Sequence, residues 1–468
     1  MYISDFLNSW QENGNRKRVK SILSVLLLLF SSSSGFAQKL WTLDECINYA
    51  LKYNLDIETQ AIDNETYREQ LEQSKRNRLP SFSAGTSYGI NYGKSVDPNT
   101  NAVTYNDFAS NSYSLYGNIS LFNGFIKKNQ IAYSRFIYLA GLEQEKAIKT
   151  DIAFEVMNAF LNSLYYQGFL EIAKEQQELS ELNLEKVRKE SKIGISAKTD
   201  ILEIEARLAE EELTVIRTEN DLQASLLELK KTMNYPVSEE LFLQEMNNFD
   251  VAESSALEQT DSVYSLAVQH LPSVKAKEQK LKAVEKLIII AKGSLYPSFS
   301  LSGGYYTGYY ETKTDDMGNP ISFKEQFKNN ASQSVGISLA IPVFHRWNNR
   351  SEIRIQRLAL EKEKVNLENF KNQLYYEIEA YCQELSAMWA EYIQAKKQTE
   401  SNQLAFEVAE KKKDQGLFNI IDFYTSKNLL SNAQSELLRT KLQYLIKRKT
   451  IDFYLGKPVF GLNAQYNH

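Results

Sequence analysis

The side chains best suited to catalysis or metal binding are few in this sequence. Among 468 residues there are three histidines and two cysteines. His270, His345 and His468 are scattered, and none has a second metal ligand at a short helical spacing. Cys46 and Cys382 form no CxxC motif; burial as small residues is expected, although an oxidising compartment would permit a disulfide if they met. The sequence shows no phosphate-binding loop or nucleophile elbow, so it predicts no enzyme, no cofactor and no metal site.

Two aspartates stand out by their spacing. Asp200 follows Gly194 by six residues, and Asp422 follows Gly416 by the same interval. Glycine readily takes the left-handed conformation that ends a helix, and an acidic side chain in the first turn of the next helix interacts favourably with its dipole. The pattern predicts two turns between helices, at 194–199 and 416–421. In the turn at 194–199, either Ser196 or Thr199 could be the N-cap of the helix that follows.

The two aspartates are 222 residues apart, and the same offset aligns the sequences around them. It aligns Ile216-Arg217-Thr218 with Leu438-Arg439-Thr440. It also aligns two apolar ladders with a spacing of seven, Ile201, Leu208, Val215, Leu222 and Leu229 with Phe423, Leu430, Leu437, Tyr444 and Ile451. Self-similarity at a fixed offset is typical of a duplicated unit, and the ladders are typical of helices packed lengthwise. The sequence therefore predicts an internal tandem repeat.

The elements of each unit follow from proline positions and from alternation. Prolines are absent from 99–235 and 343–457, which permits a hairpin of very long helices in each unit. Four segments of about ten residues alternate apolar with small uncharged residues, and two of them begin with Pro-Ser-Phe-Ser. This period predicts strands at about 81–92, 111–122, 298–310 and 331–342. The uncharged polar face favours a barrel wall between lipid and water over the edge of a soluble sandwich. The polar segments between strands, 93–111 and 312–330, are predicted to be external loops.

The beginning of the chain predicts export. Basic residues precede a short apolar run at 22–30, and Ala37 ends a small-residue cleavage motif. The run is about half of the ~20 apolar residues that a membrane span requires, so a signal peptide over 1–37 is expected rather than an anchor. No cysteine lies beside the cleavage site for a lipid anchor. The net charge of −5 is mixed in sign and predicts no nucleic-acid partner.

Counting strands predicts an assembly. Four strands cannot close a barrel, and an open edge in lipid would leave backbone groups unpaired. Eight strands from two copies would leave no open channel, whereas three copies give twelve. The predicted fold is a mixed α and β membrane protein, a trimeric twelve-stranded outer-membrane β-barrel that continues into a long periplasmic α-helical barrel. Its repeats are 38–255 and 256–468, each with one helix before its strands (41–79 and 256–294), a hairpin and an equatorial segment.

Several motifs in this order carry a resemblance to a known family. They are WTLDECINYALKYN at 41–54, the two Pro-Ser-Phe-Ser openings, the strand ends LFNG and IPVF, and the two Gly-to-Asp turns. The sequence resembles the TolC-like outer-membrane efflux protein family over nearly all of the mature chain. The resemblance implies a homotrimer in outer-membrane lipid that extends into the periplasm. It would be the passive exit duct of a tripartite efflux or type I secretion system, with a periplasmic adaptor and an inner-membrane pump as partners.

The resemblance also implies a gate at the periplasmic tip. Asp200 and Asp422 match acidic residues that constrict the entrance, and six such carboxylates in a trimer would favour cations. Stabilisation of helix N-termini is the alternative role, and the two can coexist. Thr425 stands where the family often has a second acid, and Phe418 where some members have a basic gate residue. Two other functions remain open, a periplasmic coiled-coil adaptor or structural envelope protein without a channel, and an enzyme associated with a barrel.

Overall fold

The computed structural model describes residues 39–96, 101–105, 107–194, 197–244, 258–315, 317–415 and 420–459. The predicted signal peptide and His468 lie outside the described residues, as do Gly416 and Phe418 of the second predicted turn.

Helices dominate the described residues. They are α1 (Leu43–Tyr53), α2 (Leu55–Arg76), α3 (Ile126–Lys192), α4 (Lys198–Met233), α5 (Thr260–His270), α6 (Pro272–Gly293), α7 (Phe323–Asn329), α8 (Asn348–Asp414) and α9 (Ile420–Tyr454). The longest, α3 and α8, have 67 residues each and would extend roughly 100 Å if straight. Among the described residues, no helix combines the length and the apolar composition needed to cross a membrane.

Within the described ranges, the strands form one substantial sheet and two small pairs. They are β1 (Leu40–Trp41), β2 (Ser81–Asn91), β3 (Ser95–Val96), β4 (Val103–Thr104), β5 (Phe108–Asn123), β6 (Phe242–Leu243), β7 (Ser298–Tyr310) and β8 (Ser332–Ala340). The four-stranded sheet has the order β2-β5-β7-β8 and is antiparallel throughout. β1 pairs with β6 in parallel, and β3 pairs with β4. Within this sheet β2 and β8 are edge strands, each paired on one side.

The two faces of the sheet differ in chemistry. Phe82, Gly117, Gly303 and Val335 are paired across the four strands and therefore share a face. That apolar face exposes large hydrophobic side chains: Phe82, Tyr88, Ile90, Leu115, Val335, Ile337 and Leu339. Serine and glycine predominate on the opposite face. The alternation seen in the sequence thus becomes an apolar and a polar sheet face.

The helix predicted before each first strand is broken in both halves, so the prediction of one continuous helix is wrong. Asn54 has an extended backbone, with φ −71° and ψ 129°; it ends α1, and its side chain accepts a hydrogen bond from the backbone N–H of Asp56 to cap α2. In the second half Leu271 precedes Pro272, the first residue of α6. A proline disfavours helical backbone in the residue before it, which explains the break.

Each long helix begins after two consecutive residues of left-handed backbone. These are Gly124 and Phe125 before α3, and Arg346 and Trp347 before α8. A Cβ atom at Gly124 would lie 2.1 Å from the carbonyl oxygen of Gly293, the last residue of α6. The chain therefore leaves the sheet through a tight crossing that requires glycine.

The buried apolar residues form several clusters along the helices instead of one globular core. A large cluster joins α1 to α3 and to the C-terminal parts of α4 and α9, with Cys46, Phe160 and Met233 fully buried. The ten residues of the two predicted ladders are all buried or half-buried. Lengthwise packing of the helical hairpins, α3 with α4 and α8 with α9, agrees with their spacing of seven.

Candidate functional site

The first hairpin tip lies between α3 and α4. Gly194 has φ +81°, the left-handed backbone expected of a residue that ends a helix. Ala197 occupies the N-cap position of α4, whereas Thr199 lies inside the helix and Ser196 lies outside the described residues; the predicted cap at Thr199 is therefore wrong. Oδ2 of the half-buried Asp200 accepts a hydrogen bond from the backbone N–H of Ala197 at 3.1 Å. Its carboxylate thus holds the start of α4.

The second tip has a different local arrangement. Asp422 lies in the first turn of α9 and is exposed. Thr425 is also exposed, and its hydroxyl donates to the carbonyl oxygen of Ile421 at 2.8 Å. That hydrogen bond to the preceding turn is common for threonine in helices, so the Thr425 hydroxyl is used within α9 itself.

Just behind the tips, an apolar cluster joins the two hairpins. Its buried members come from α3, α4, α8 and α9: Leu184, Val187, Ile204, Ala409, Phe423 and Tyr424. Lys413, near the end of α8, places its ammonium 4.0 Å from the centre of the Phe423 ring and donates to the side-chain oxygen of Asn183. The cation–π contact therefore ties the end of α8 to α9, and the hydrogen bond ties it to α3.

A buried lysine reinforces this connection from α9. The side chain of Lys427 is 0% exposed. Its ammonium donates to the backbone oxygen of Gln176, to Ser180 Oγ at 2.7 Å and to Glu211 Oε1 at 2.9 Å. Three donors of one ammonium are thus used by α3 and α4 of the other hairpin. Burial lowers the pKa of Lys427, and the partnership with Glu211 opposes that effect.

A polar cavity of about 280 Å³ adjoins this ion pair. Gln176, Arg207, Glu211 and Tyr424 line it, and each has a buried polar atom without a protein partner: Gln176 Oε1, Arg207 Nε, Glu211 Oε2 and Tyr424 Oη. A cavity of this size with several polar atoms can hold ordered water. Arg207 also stacks over the Tyr424 ring at 5.0 Å. The contact between the hairpins therefore includes a polar cavity beside the ion pair, with room for water.

Lys427 was not among the residues selected from the sequence. A signal was present, because it lies four residues after Phe423 and three before Leu430, two members of the α9 ladder. A lysine at such a spacing falls on the buried face of its helix, where a charged side chain needs a partner. Glu211 has a comparable position, three residues after Leu208 and four before Val215 in the α4 ladder. Only the packing of one hairpin on the other shows that these two side chains are partners.

The cysteines and histidines lie elsewhere. Cys46 is fully buried in the cluster around α1, and burial raises the pKa of its thiol to about 12. Cys382 of α8 is half-buried in a different cluster, and both thiols are free. The His270 ring contacts the carbonyl oxygens of Leu266 and Phe453, while His345 is exposed. In the part of the chain that the structure describes, no group of three or more His, Cys, Asp or Glu could hold a metal ion.

Comparison with known proteins adds a consistent set of relatives. The model of the outer membrane efflux protein family matches residues 46–234 and 263–457. Outer membrane protein TolC of Vibrio cholerae is 21% identical over 450 residues, which cover 94% of this chain and 98% of that protein. Alkaline protease secretion protein AprF of Pseudomonas aeruginosa is 21% identical over 375 residues, covering 79% and 76%. In fold, the chain is similar to CusC, with a TM-score of 0.74 at 16% identity over 91% of this chain and 96% of that one.

Proposed function

Because the chain belongs to the outer membrane efflux protein family, we propose that it is the outer-membrane exit duct of an efflux or secretion system. It spans the outer membrane with its sheet and extends through the periplasm with its helices. Relatives named for TolC and for alkaline protease secretion support this function.

The observation that carries the proposal is the sheet with its two unpaired edges. β2 and β8 each present backbone groups without a strand partner in this sheet. In lipid, each unpaired group would cost several kcal/mol, and the exposed apolar face of the sheet suits lipid rather than water. Pairing β8 of one copy with β2 of the next removes both edges. Three copies supply twelve strands, so the functional unit is a homotrimer.

Exposed apolar residues along the helices support the same assembly. On α4 they are Leu202, Leu213, Ile216 and Leu227, and on α8 they are Ile393, Leu404 and Val408. Side chains of this size on both long hairpins suit lateral packing against further helices. With two hairpins from each of three chains, the helices would close into a tube below the barrel.

We also propose that the two halves are repeats of one unit. α3 and α8 begin 222 residues apart, as do α4 and α9, and each long helix follows two residues of left-handed backbone. The repeat boundaries predicted from the sequence, 38–255 and 256–468, accommodate all of these elements.

The periplasmic tips are the proposed site of gating and of contact with partners. A periplasmic adaptor and an inner-membrane pump would supply cargo and energy, since the chain itself offers a passive path. Asp200 and Asp422 are the proposed selectivity residues, with Thr425 and Phe418 near Asp422 in sequence.

The experiment is purification of the mature chain in detergent and its reconstitution. We expect a trimer by size-exclusion chromatography with light scattering, a heat-modifiable band on gels, and conductance steps in planar bilayers. A water-soluble monomer that inserts no sheet into vesicles would contradict the proposal and would favour a periplasmic adaptor instead.

A further inference from the structure

The connection between β7 and β8 contains a short helix, α7, in a segment expected to be a loop. It lies at the end of the sheet away from the long helices, because β7 leads into it and β8 leaves it. Phe327 lies 5.4 Å from Tyr113, and Phe323 lies 5.7 Å from Tyr309, measured between ring centres. Tyr113 and Tyr309 share the apolar sheet face with Phe82 and Tyr88. α7 is therefore packed on the apolar face at the outer end of the sheet.

Side-chain amides fix α7 to the strand. β8 pairs with β7 only as far as Tyr306, opposite Ser332. Beyond that point Gln326, 1% exposed, accepts from the backbone N–H of Tyr310 at 3.0 Å and donates to its carbonyl oxygen at 2.9 Å. Asn330 donates to the carbonyl oxygen of Gly308 at 2.7 Å. These amides replace the backbone partners that a longer β8 would provide, so α7 has a defined place on the sheet.

Two lysines project from this fixed helix. Lys324 and Lys328 are one turn apart, both exposed, and neither makes an ion pair within the described residues. Nearby acids are already engaged: Glu311 accepts from the backbone N–H of Ala109, and Asp315 accepts from the backbone N–H groups of Met317 and Asn319. α7 itself, as the structure describes it, carries one acidic residue, Glu325, which is exposed.

The position of α7 along the strands indicates where it would lie relative to the membrane. The nine residues of β8 rise roughly 30 Å along the strand, or about 23 Å along the barrel axis at a tilt near 40°, close to the ~25 Å of an apolar barrel band. α7 lies at the outer end of β8, the shortest of the four strands. Aromatic side chains at the end of such a band anchor a protein in the interface, and lysines beside them reach toward headgroups.

We propose that α7 is a binding site for a phosphate-bearing glycolipid of the outer leaflet, with Lys324 and Lys328 contacting phosphate and Phe323 contacting an acyl chain. The inference rests on the proposed function, because it requires the apolar sheet face to lie in the outer membrane. Phe323 is 46% exposed although it packs on Tyr309, so it has apolar surface left for lipid.

The test is a titration of the full mature trimer in dodecyl maltoside with diphosphoryl lipid A, followed by native mass spectrometry. The variant Lys324→Gln/Lys328→Gln should need roughly tenfold more lipid A for half-saturation, because each lysine near an anionic surface contributes to binding. Lys396→Gln/Lys397→Gln on α8 makes the same charge change far from the sheet and should bind as the wild type does. Dephosphorylated lipid A should bind wild type and variant alike.

Three outcomes would overturn the inference while the channel assignment stands. The two double variants could bind lipid A equally, the wild type could bind both lipids equally, or the α7 variant could lower trimer stability in lipid-free detergent, which would place the lysines in a subunit seam. A sample that is not trimeric at all would instead contradict the proposed function.

Discussion

At the scale of single residues, Lys427 connects the two hairpins through a buried ion pair. Lys427→Met would leave Glu211 without its cation, and breaking a buried pair in this way costs about 3 kcal/mol. We expect faster amide hydrogen exchange in the segments of α3, α4 and α9 that contact Lys427. Lys441→Met, on the same helix, should leave the exchange of these segments unchanged.

The double variant Lys427→Met/Glu211→Leu separates the ion pair from simple packing. It removes both charges together, so most of the lost protection should return. If the single and double variants exchange equally fast, the loss comes from side-chain packing around Tyr424 instead of the uncompensated charge of Glu211.

The two thiols should differ in reactivity. The Cys46 thiol has its pKa raised from 9.0 to about 12 by burial, so its thiolate fraction at pH 8 falls roughly 1000-fold, and the thiolate is the reactive form. With N-ethylmaleimide at pH 8, the folded protein should be modified at Cys382 well before Cys46, as measured by peptide mass spectrometry. Cys382→Ser should therefore remain almost unlabelled until it is denatured. Rapid labelling of that variant in the folded state would contradict the burial of Cys46.

Part of the tip region was predictable from single residues. The spacing from Gly194 to Asp200 indicated a helix end and an acid in the next first turn, and both are present. Lys427 and Glu211 are distant in sequence and belong to different hairpins. Their pairing depends on how the hairpins pack together, which local patterns do not specify.

At the scale of elements, the crossing between sheet and helices depends on glycine. Gly124 and Gly194 both have left-handed backbone, but only a Cβ atom at Gly124 would collide with backbone, while nothing lies within 4 Å at Gly194. Gly194→Ala should cost about 1 kcal/mol for the backbone conformation alone. Gly124→Ala adds the collision with Gly293, so we expect it to lower the thermal midpoint of the trimer several degrees further. Equal midpoints for the two variants would show that the crossing can relax.

Long elements were predictable because their signals repeat. Many turns without proline indicated α3 and α8, and several alternations indicated each strand of the sheet. α7 has seven residues, too few for a periodic pattern, and it depends on contacts with β7 that a sequence does not display. The break at Leu271 was marked by Pro272, whereas Asn54 breaks its helix by capping the next one.

At the scale of the whole molecule, the proposed trimer would arrange the strands and the hairpins with one threefold symmetry. A sheet of four strands with two free edges closes when three copies supply twelve strands, and the same three copies bring six hairpin tips together. The carboxylates of the six tips would then lie around one axis. In the proposed trimer, the charge of the tips would consequently be a property of the assembly.

Neutralising that charge tests the assembly without disturbing the helix starts. Asp200→Asn keeps a side-chain oxygen to accept from the Ala197 N–H, so Asp200→Asn/Asp422→Asn should leave the trimer intact. If the tips form a ring, removing about one RT of local potential should lower the cation-to-anion permeability ratio roughly threefold in planar bilayers. Glu58→Gln/Asp63→Asn, two exposed acids on α2, provides the same charge change away from the tips. If both double variants match the wild type in selectivity, Asp200 and Asp422 stabilise helix starts and do not line the path of ions.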